Sequence, residues 1–154
     1  MDLSQLQATA VSVMQADSYL YNGGTLSVPI LSEDLGNVAT ELALSVYKTS
    51  GIMVYVQTPV GHNDKPNVNP PQMAPKMVCT VIEQVTLNRG AKGTGQAIGK
   101  VAEHVACLLH QNLAFGSALP LFTDILISKA YLPLIARDVV FNIPWSSLQL
   151  QNRP

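Results

Sequence analysis

A chain of 154 residues in which only 12% are charged carries about half the ~25% charge of an ordinary soluble domain, and its mean hydropathy is positive. The length suffices for one domain with a core of its own, without disulfides or a metal to hold it. A formal net charge of −1, from 9 Lys plus Arg against 10 Asp plus Glu, excludes a general polyanion-binding surface and leaves little repulsion between copies of the chain.

In chain order, Leu3, Leu6, Ala10, Val13 and Leu20 recur at helical spacing, with Asp2 or Ser4 where an N-cap belongs. This predicts a first amphipathic helix over 3–20. The start, Met1-Asp2-Leu3-Ser4, has neither the basic nor the apolar region of a secretory signal. Asn22-Gly23-Gly24 ends the helix, and Thr25 to Leu31 reads as an extended piece that Pro29, which lacks an N–H, confines to an edge or a connection, with little pairing. Ser32-Glu33-Asp34 offers capping oxygens to a second helix that carries Leu35, Val38, Leu42 and Val46 on one stripe and stops at Gly51.

Ile52 to Thr58 puts Ile52, Val54 and Val56 on one face and Met53, Tyr55 and Gln57 on the other, the pattern of a half-buried strand. Met77 to Leu87 repeats it with Met77, Cys79, Val81, Val85 and Leu87, and there Glu83 needs a partner or an exit to solvent. Between these strands, Gly61 to Lys76 contains Pro66, Pro70, Pro71 and Pro75 among asparagines, longer than the ~12–15 residues at which an unstructured loop becomes unusual. It reads as a projecting arm whose prolines lower the entropy lost on docking.

A third helix begins near Thr94 or Gly95, with Thr94 as its cap, and gathers Ile98, Val101, Ala102, Val105, Leu108 and Leu109 on its core side. Leu121 to Ser128 and Ile135 to Ile143 are two further strands joined by a turn around Tyr131 to Pro133, the second with Ile135, Val139, Phe141 and Ile143 inward. The order α, α, β, β, α, β, β predicts one α+β domain over 1–154, with a mainly antiparallel sheet of about four strands and about three helices gathered on one face. A short polar tail follows at 146–154. No apolar run reaches the ~18 residues of a membrane span.

Chemistry-bearing motifs are few. Gly90 to Val101 is a glycine-rich turn between strand and helix, but counting back from Gly99-Lys100 puts Thr94 where a phosphate loop needs glycine, and Val101 replaces the hydroxyl that would hold magnesium. As a dinucleotide fingerprint its third glycine comes one residue late. His104, Cys107 and His110 span about 120° around a helix and do not converge on one metal. No nucleophile elbow or carboxylate pair stands out, so no catalytic residue, metal or cofactor is assigned. Cys79 and Cys107 read as buried free thiols. Lys76, Arg89, Lys92 and Lys100 form a local basic excess, without the interleaved aromatic residues of a single-strand nucleic-acid site.

Three phrases of the chain carry a family resemblance. Val28-Pro29-Ile30-Leu31-Ser32-Glu33-Asp34-Leu35-Gly36-Asn37-Val38, Val54-Tyr55-Val56-Gln57-Thr58-Pro59, and Glu83 to Gly90 with Gly93-Thr94-Gly95 and the helix to His110 together resemble small virion proteins of tailed bacteriophages. The element order is similar to that of the tail-terminator and tail-completion proteins. The resemblance implies a non-enzymatic subunit of a hexameric ring at the head-proximal end of the tail, which joins the tail-tube protein to neck or connector proteins. It implies a place in the virion after assembly in the host cytoplasm, with no membrane and no sequence-specific nucleic acid as partner. Another neck or tail-tube subunit is the nearest alternative, and a small nucleotide- or phosphate-handling enzyme using 90–100 is the alternative of another class. The expected contact residues are His62, Lys65, Pro66, Pro70 and Pro71 in the arm, with Arg89, Lys92 and Lys100.

Overall fold

The computed structural model describes residues 2–20, 28–33, 40, 42, 46–60, 75–91 and 93–144. Helix α1 is Leu3–Gln15, strand β1 is Ile30–Ser32, β2 is Ile52–Val56 and β3 is Lys76–Glu83. A single helical turn, α2, covers Val85–Asn88, and helix α3 covers Ile98–Leu109. Strands β4, Leu121–Ser128, and β5, Ile135–Asn142, complete the set. The fold is α+β, as expected, with a five-stranded sheet in the order β1-β2-β3-β5-β4.

All pairs but one are antiparallel, the exception being β1, which runs parallel to β2 with Ile30 opposite Val54. The strand stands at the sheet edge, where Pro29 is expected to confine it, but it pairs more than expected: the Pro29 carbonyl accepts from the Val54 N–H at 2.9 Å. Ser32 accordingly ends a strand, where a helix cap was expected.

Helix α1 starts as predicted. Asp2 accepts from the Gln5 N–H at 2.8 Å while Gln5 Oε1 accepts from the Asp2 N–H at 2.9 Å, a reciprocal cap. It ends at Gln15 rather than near Leu20, because the Asp17 carboxylate takes the N–H groups of Tyr19 and Leu20 and turns the chain. Of the second predicted helix, Thr40, Leu42 and Val46 to Lys48 have helical backbone, which stops before the bends at Thr49 to Gly51, and 34–39, 41 and 43–45 lie outside the described residues.

Two apolar clusters share the sheet. Leu6, Ala10 and Met14 of α1 and Val101, Val105 and Leu109 of α3 pack on Ile52, Val54, Val56, Met77, Cys79, Val81, Val139 and Phe141. The alternate residues Met53, Tyr55, Ile82 and Ala136 meet Val46, Leu42 and Leu134. Successive strand residues point to opposite faces, so the helical segment around Val46 lies across the sheet from α1 and α3. The helices therefore cover both faces, and β2 is buried on both, against the prediction of a one-sided layer and a half-buried strand. No helix among the described residues is long and apolar enough to cross a membrane.

Candidate interaction surface

The glycine-rich turn is built around Glu83, whose side chain is fully buried at the end of β3. Its Oε1 accepts from Asn88 Nδ2 at 2.7 Å and from Arg89 Nε at 3.1 Å, and its Oε2 accepts from the Ile98 N–H at 3.3 Å. A buried carboxylate is tolerated when its lone pairs are met by charged and polar donors in this way. The strand expected to reach Leu87 stops at Glu83, because α2 turns the chain to bring Asn88 and Arg89 back onto that carboxylate.

Asn88 is the hub of the turn. Its Nδ2 also donates to the Gln96 carbonyl at 2.7 Å, and its Oδ1 accepts from the Thr94 hydroxyl. Thr94 is thus spent on Asn88 and does not cap α3, which begins at Ile98 after Ala97, without a side-chain cap. The Asn88 backbone runs between two glycines: a Cβ on Gly51 would fall 2.3 Å from its nitrogen, and one on Gly93 would fall 2.0 Å from its oxygen. Gly93 is required by this close approach to protein backbone. The leading N–H of α3, the natural seat for a phosphate, is held by the Glu83 carboxylate, which would repel a bound anion.

The expected contact residues separate accordingly. Arg89 is half exposed but anchored on Glu83. Lys100 stands exposed on the first turn of α3, and Lys76 is exposed at the start of β3. Lys92 and the arm residues His62, Lys65, Pro66, Pro70 and Pro71 lie outside the described residues. The base of the arm is defined: Val60 and Lys76 exchange two backbone hydrogen bonds, of 3.3 and 3.0 Å.

The two helical histidines have separate partners. His104 Nε2 lies 2.8 Å from Asp17 Oδ1 with its ring against Tyr19, and His110 Nδ1 accepts from the Phe122 N–H at 3.0 Å. Cys107 is exposed, which corrects its reading as a buried thiol; Cys79 is buried. Burial pushes the Cys79 thiol up to about 12. Among the described residues no three His, Cys, Asp or Glu side chains gather as a metal ion requires.

On the second face of the sheet a polar row crosses the strands. Gln57 Nε2 donates to Thr80 Oγ1 at 2.8 Å, and Thr80 donates to Asp138 Oδ1 at 2.7 Å. The Tyr55 and Tyr131 hydroxyls bond to each other nearby. Burial, reinforced by Tyr55, Asp138 and Glu33, raises the Tyr131 phenol above its ordinary range. These groups satisfy one another and hold the turn before β5 against the sheet.

Among the described residues, exposed large apolar side chains gather on β4. It is an edge strand, hydrogen-bonded to β5 alone among the described strands, and none of its eight residues is buried. Leu121, Phe122, Ile125, Leu126 and Ile127 are exposed, Ile127 by 71%, and Leu132 of the adjoining turn by 72%. Pairing with β5 sets the faces: Ile125 and Ile127 lie opposite Val139 and Arg137, Leu126 opposite Asp138. Just after α3, His110 accepts from the Phe122 N–H and the Gln111 N–H donates to the Pro120 carbonyl at 2.8 Å, which ties the start of β4 to the end of the helix. Ile135, predicted inward, is 37% exposed at the start of β5.

The pattern of 121–128 marks a strand but not that it is uncovered, and the one indirect signal is the low charge, 12% of residues.

No protein-family model matches the chain, and no curated protein matches it. The functional reading therefore rests on the residues and on surface chemistry.

Proposed function

We propose that this chain is a structural virion protein of a tailed bacteriophage, one that forms a ring at the head-proximal end of the tail and joins tail tube to neck. The observation that carries the reading is the bare apolar strand β4, on a chain of 12% charged residues and net charge −1. Long, flat, hydrophobic edges are blunted in proteins that stay monomeric, and contiguous exposed apolar surface marks contact with another protein. The family phrases at 28–38, 54–59 and 83–95 supply the virion context.

The mechanism in this reading is geometric. A ring subunit meets two neighbours through head-to-tail contacts that close by rotation, and its axial faces meet the tube and the connector. At about 800 Å² buried per contact, most of the apolar surface would be covered after assembly. The arm at 61–76, rooted at Val60 and Lys76, is assigned to one of these contacts. The test is negative-stain microscopy of tails produced with and without the chain. Tails lacking it should carry no ring at the head-proximal end and fail to join heads, and normal joining without it would sink the reading.

A further inference from the structure

We propose that the free protein pairs with a second copy of itself through β4, antiparallel to the same strand of the partner, about a two-fold axis at Leu126.

The two edges of the sheet differ. At β1 the outward carbonyl of Ile30 is taken by Gln15 Nε2 at 3.2 Å, the strand is three residues long, and Ile30 and Ser32 are buried. That edge cannot receive a strand from another subunit. At β4 nothing among the described residues occupies the outer edge. The strand holds no Lys, Arg or Pro, and the features that do guard an edge, the irregularity after Phe122 and the Asp124 carboxylate, lie in its first half and leave 125–128 open. Of the two described edges only β4 is open, so a sheet-to-sheet contact between copies through these edges runs β4 to β4, and a contact of one element with itself is two-fold.

The register follows from the strand's irregularity and chemistry. A register shift between Phe122 and Asp124 leaves Asp124 to Ser128 as the regular part of the strand. Centring the axis on Leu126 sets Leu126 against its own copy, Ile125 against Ile127 twice, and Asp124 against Ser128 twice. One face then gains four contiguous isoleucines. On the other, the only charge of the strand meets a hydroxyl donor, where centring on Ile125 would set the carboxylate against Leu126. The net charge of −1 offers little opposition to the pairing.

This contact closes at two copies and holds them in opposite directions, so it cannot be the seam of a polar ring. It belongs to the free protein and must open before β4 meets a virion neighbour. The pairing stands independently of the virion reading.

Native mass spectrometry over a concentration series tests it, with Leu126→Lys and, in a Cys107→Ser background, Leu126→Cys. The wild type should be dimeric. Leu126→Lys sets two ammonium groups face to face and should weaken the dimer at least about a hundredfold, with an unchanged circular dichroism spectrum, since Leu126 is 51% exposed. Leu126→Cys should give a covalent dimer with a short thiol cross-linker, whereas Leu113→Cys, at a site 84% exposed elsewhere, should not. A monomer at every concentration overturns the pairing. So does a dimer indifferent to Leu126→Lys, or a six-copy oligomer that survives it, and the last result leaves the ring reading standing.

Discussion

Glu83 and Asn88 show how single residues set the local chain path. Removing the Glu83 carboxylate strands three donors, two of them in the buried turn, at about 1–3 kcal/mol each before relaxation. Glu83→Ala should therefore cost on the order of 3–5 kcal/mol in urea unfolding. Glu83→Gln, which retains one acceptor but turns an amide N–H toward the donors, should fall between it and the wild type. Gly93→Ala should be at least as damaging as a buried cavity, because backbone cannot move aside for a Cβ at 2.0 Å.

Cys79 gives a pH test at the same scale. Its thiol, raised from 9.0 to about 12 by burial, stays protonated in the folded state while the unfolded chain loses the proton. Above pH 9 the folded state binds more protons, so stability falls with rising pH by about 1.4 kcal/mol per unit. In Cys79→Ala that contribution to the slope should vanish between pH 9.0 and about 12. At neutral pH a maleimide should label Cys107 quickly and Cys79 only on unfolding. Equal rates would contradict the burial.

At the scale of elements, the legible ones were those whose pattern answers to one neighbour. Helices α1 and α3 each show a single apolar stripe, since burial against one core imposes period 3.6, and β2, β3 and β5 were legible as apolar runs of strand length, although the burial of β2 on both faces was not. The Asp2 cap was legible for the same local reason, and Asp2→Ala should lower stability by about 1 kcal/mol in thermal unfolding. The parallel pairing of β1 was not legible, because it rests on β2, some twenty residues away. Nor was the break after Glu83, where Val85 and Leu87 continue a strand pattern that α2 overrides to satisfy a buried charge. In β4 the apolar residues read as buried, but which strand lies at an edge is a property of sheet order.

At the scale of the molecule, the two competing uses of the chain make different predictions. A nucleotide with magnesium at 100 times its dissociation constant would add about 2.7 kcal/mol. Because Glu83 occupies the start of α3, no rise in melting temperature is expected. A clear rise would revive the phosphate reading of 90–100. Replacing 62–73 by a short Gly-Ser link should leave a folded protein, since Val60 and Lys76 hold the base of the arm. Its ring formation on tails should be impaired, and normal rings would release the arm from its assigned contact.

By itself the sequence determined the α+β class, the apolar faces of α1 and α3, the need of Glu83 for a partner, and a chain poor in charge. These follow from local periodicity and composition, which each segment carries with it. Only the tertiary structure decided that Asn88 threads between Gly51 and Gly93, that the glycine-rich turn closes on a carboxylate, that both faces of the sheet are covered, and that β4 is left bare. Those depend on which distant segments meet, and a one-dimensional pattern records that a residue seeks burial without recording whether the fold provides it.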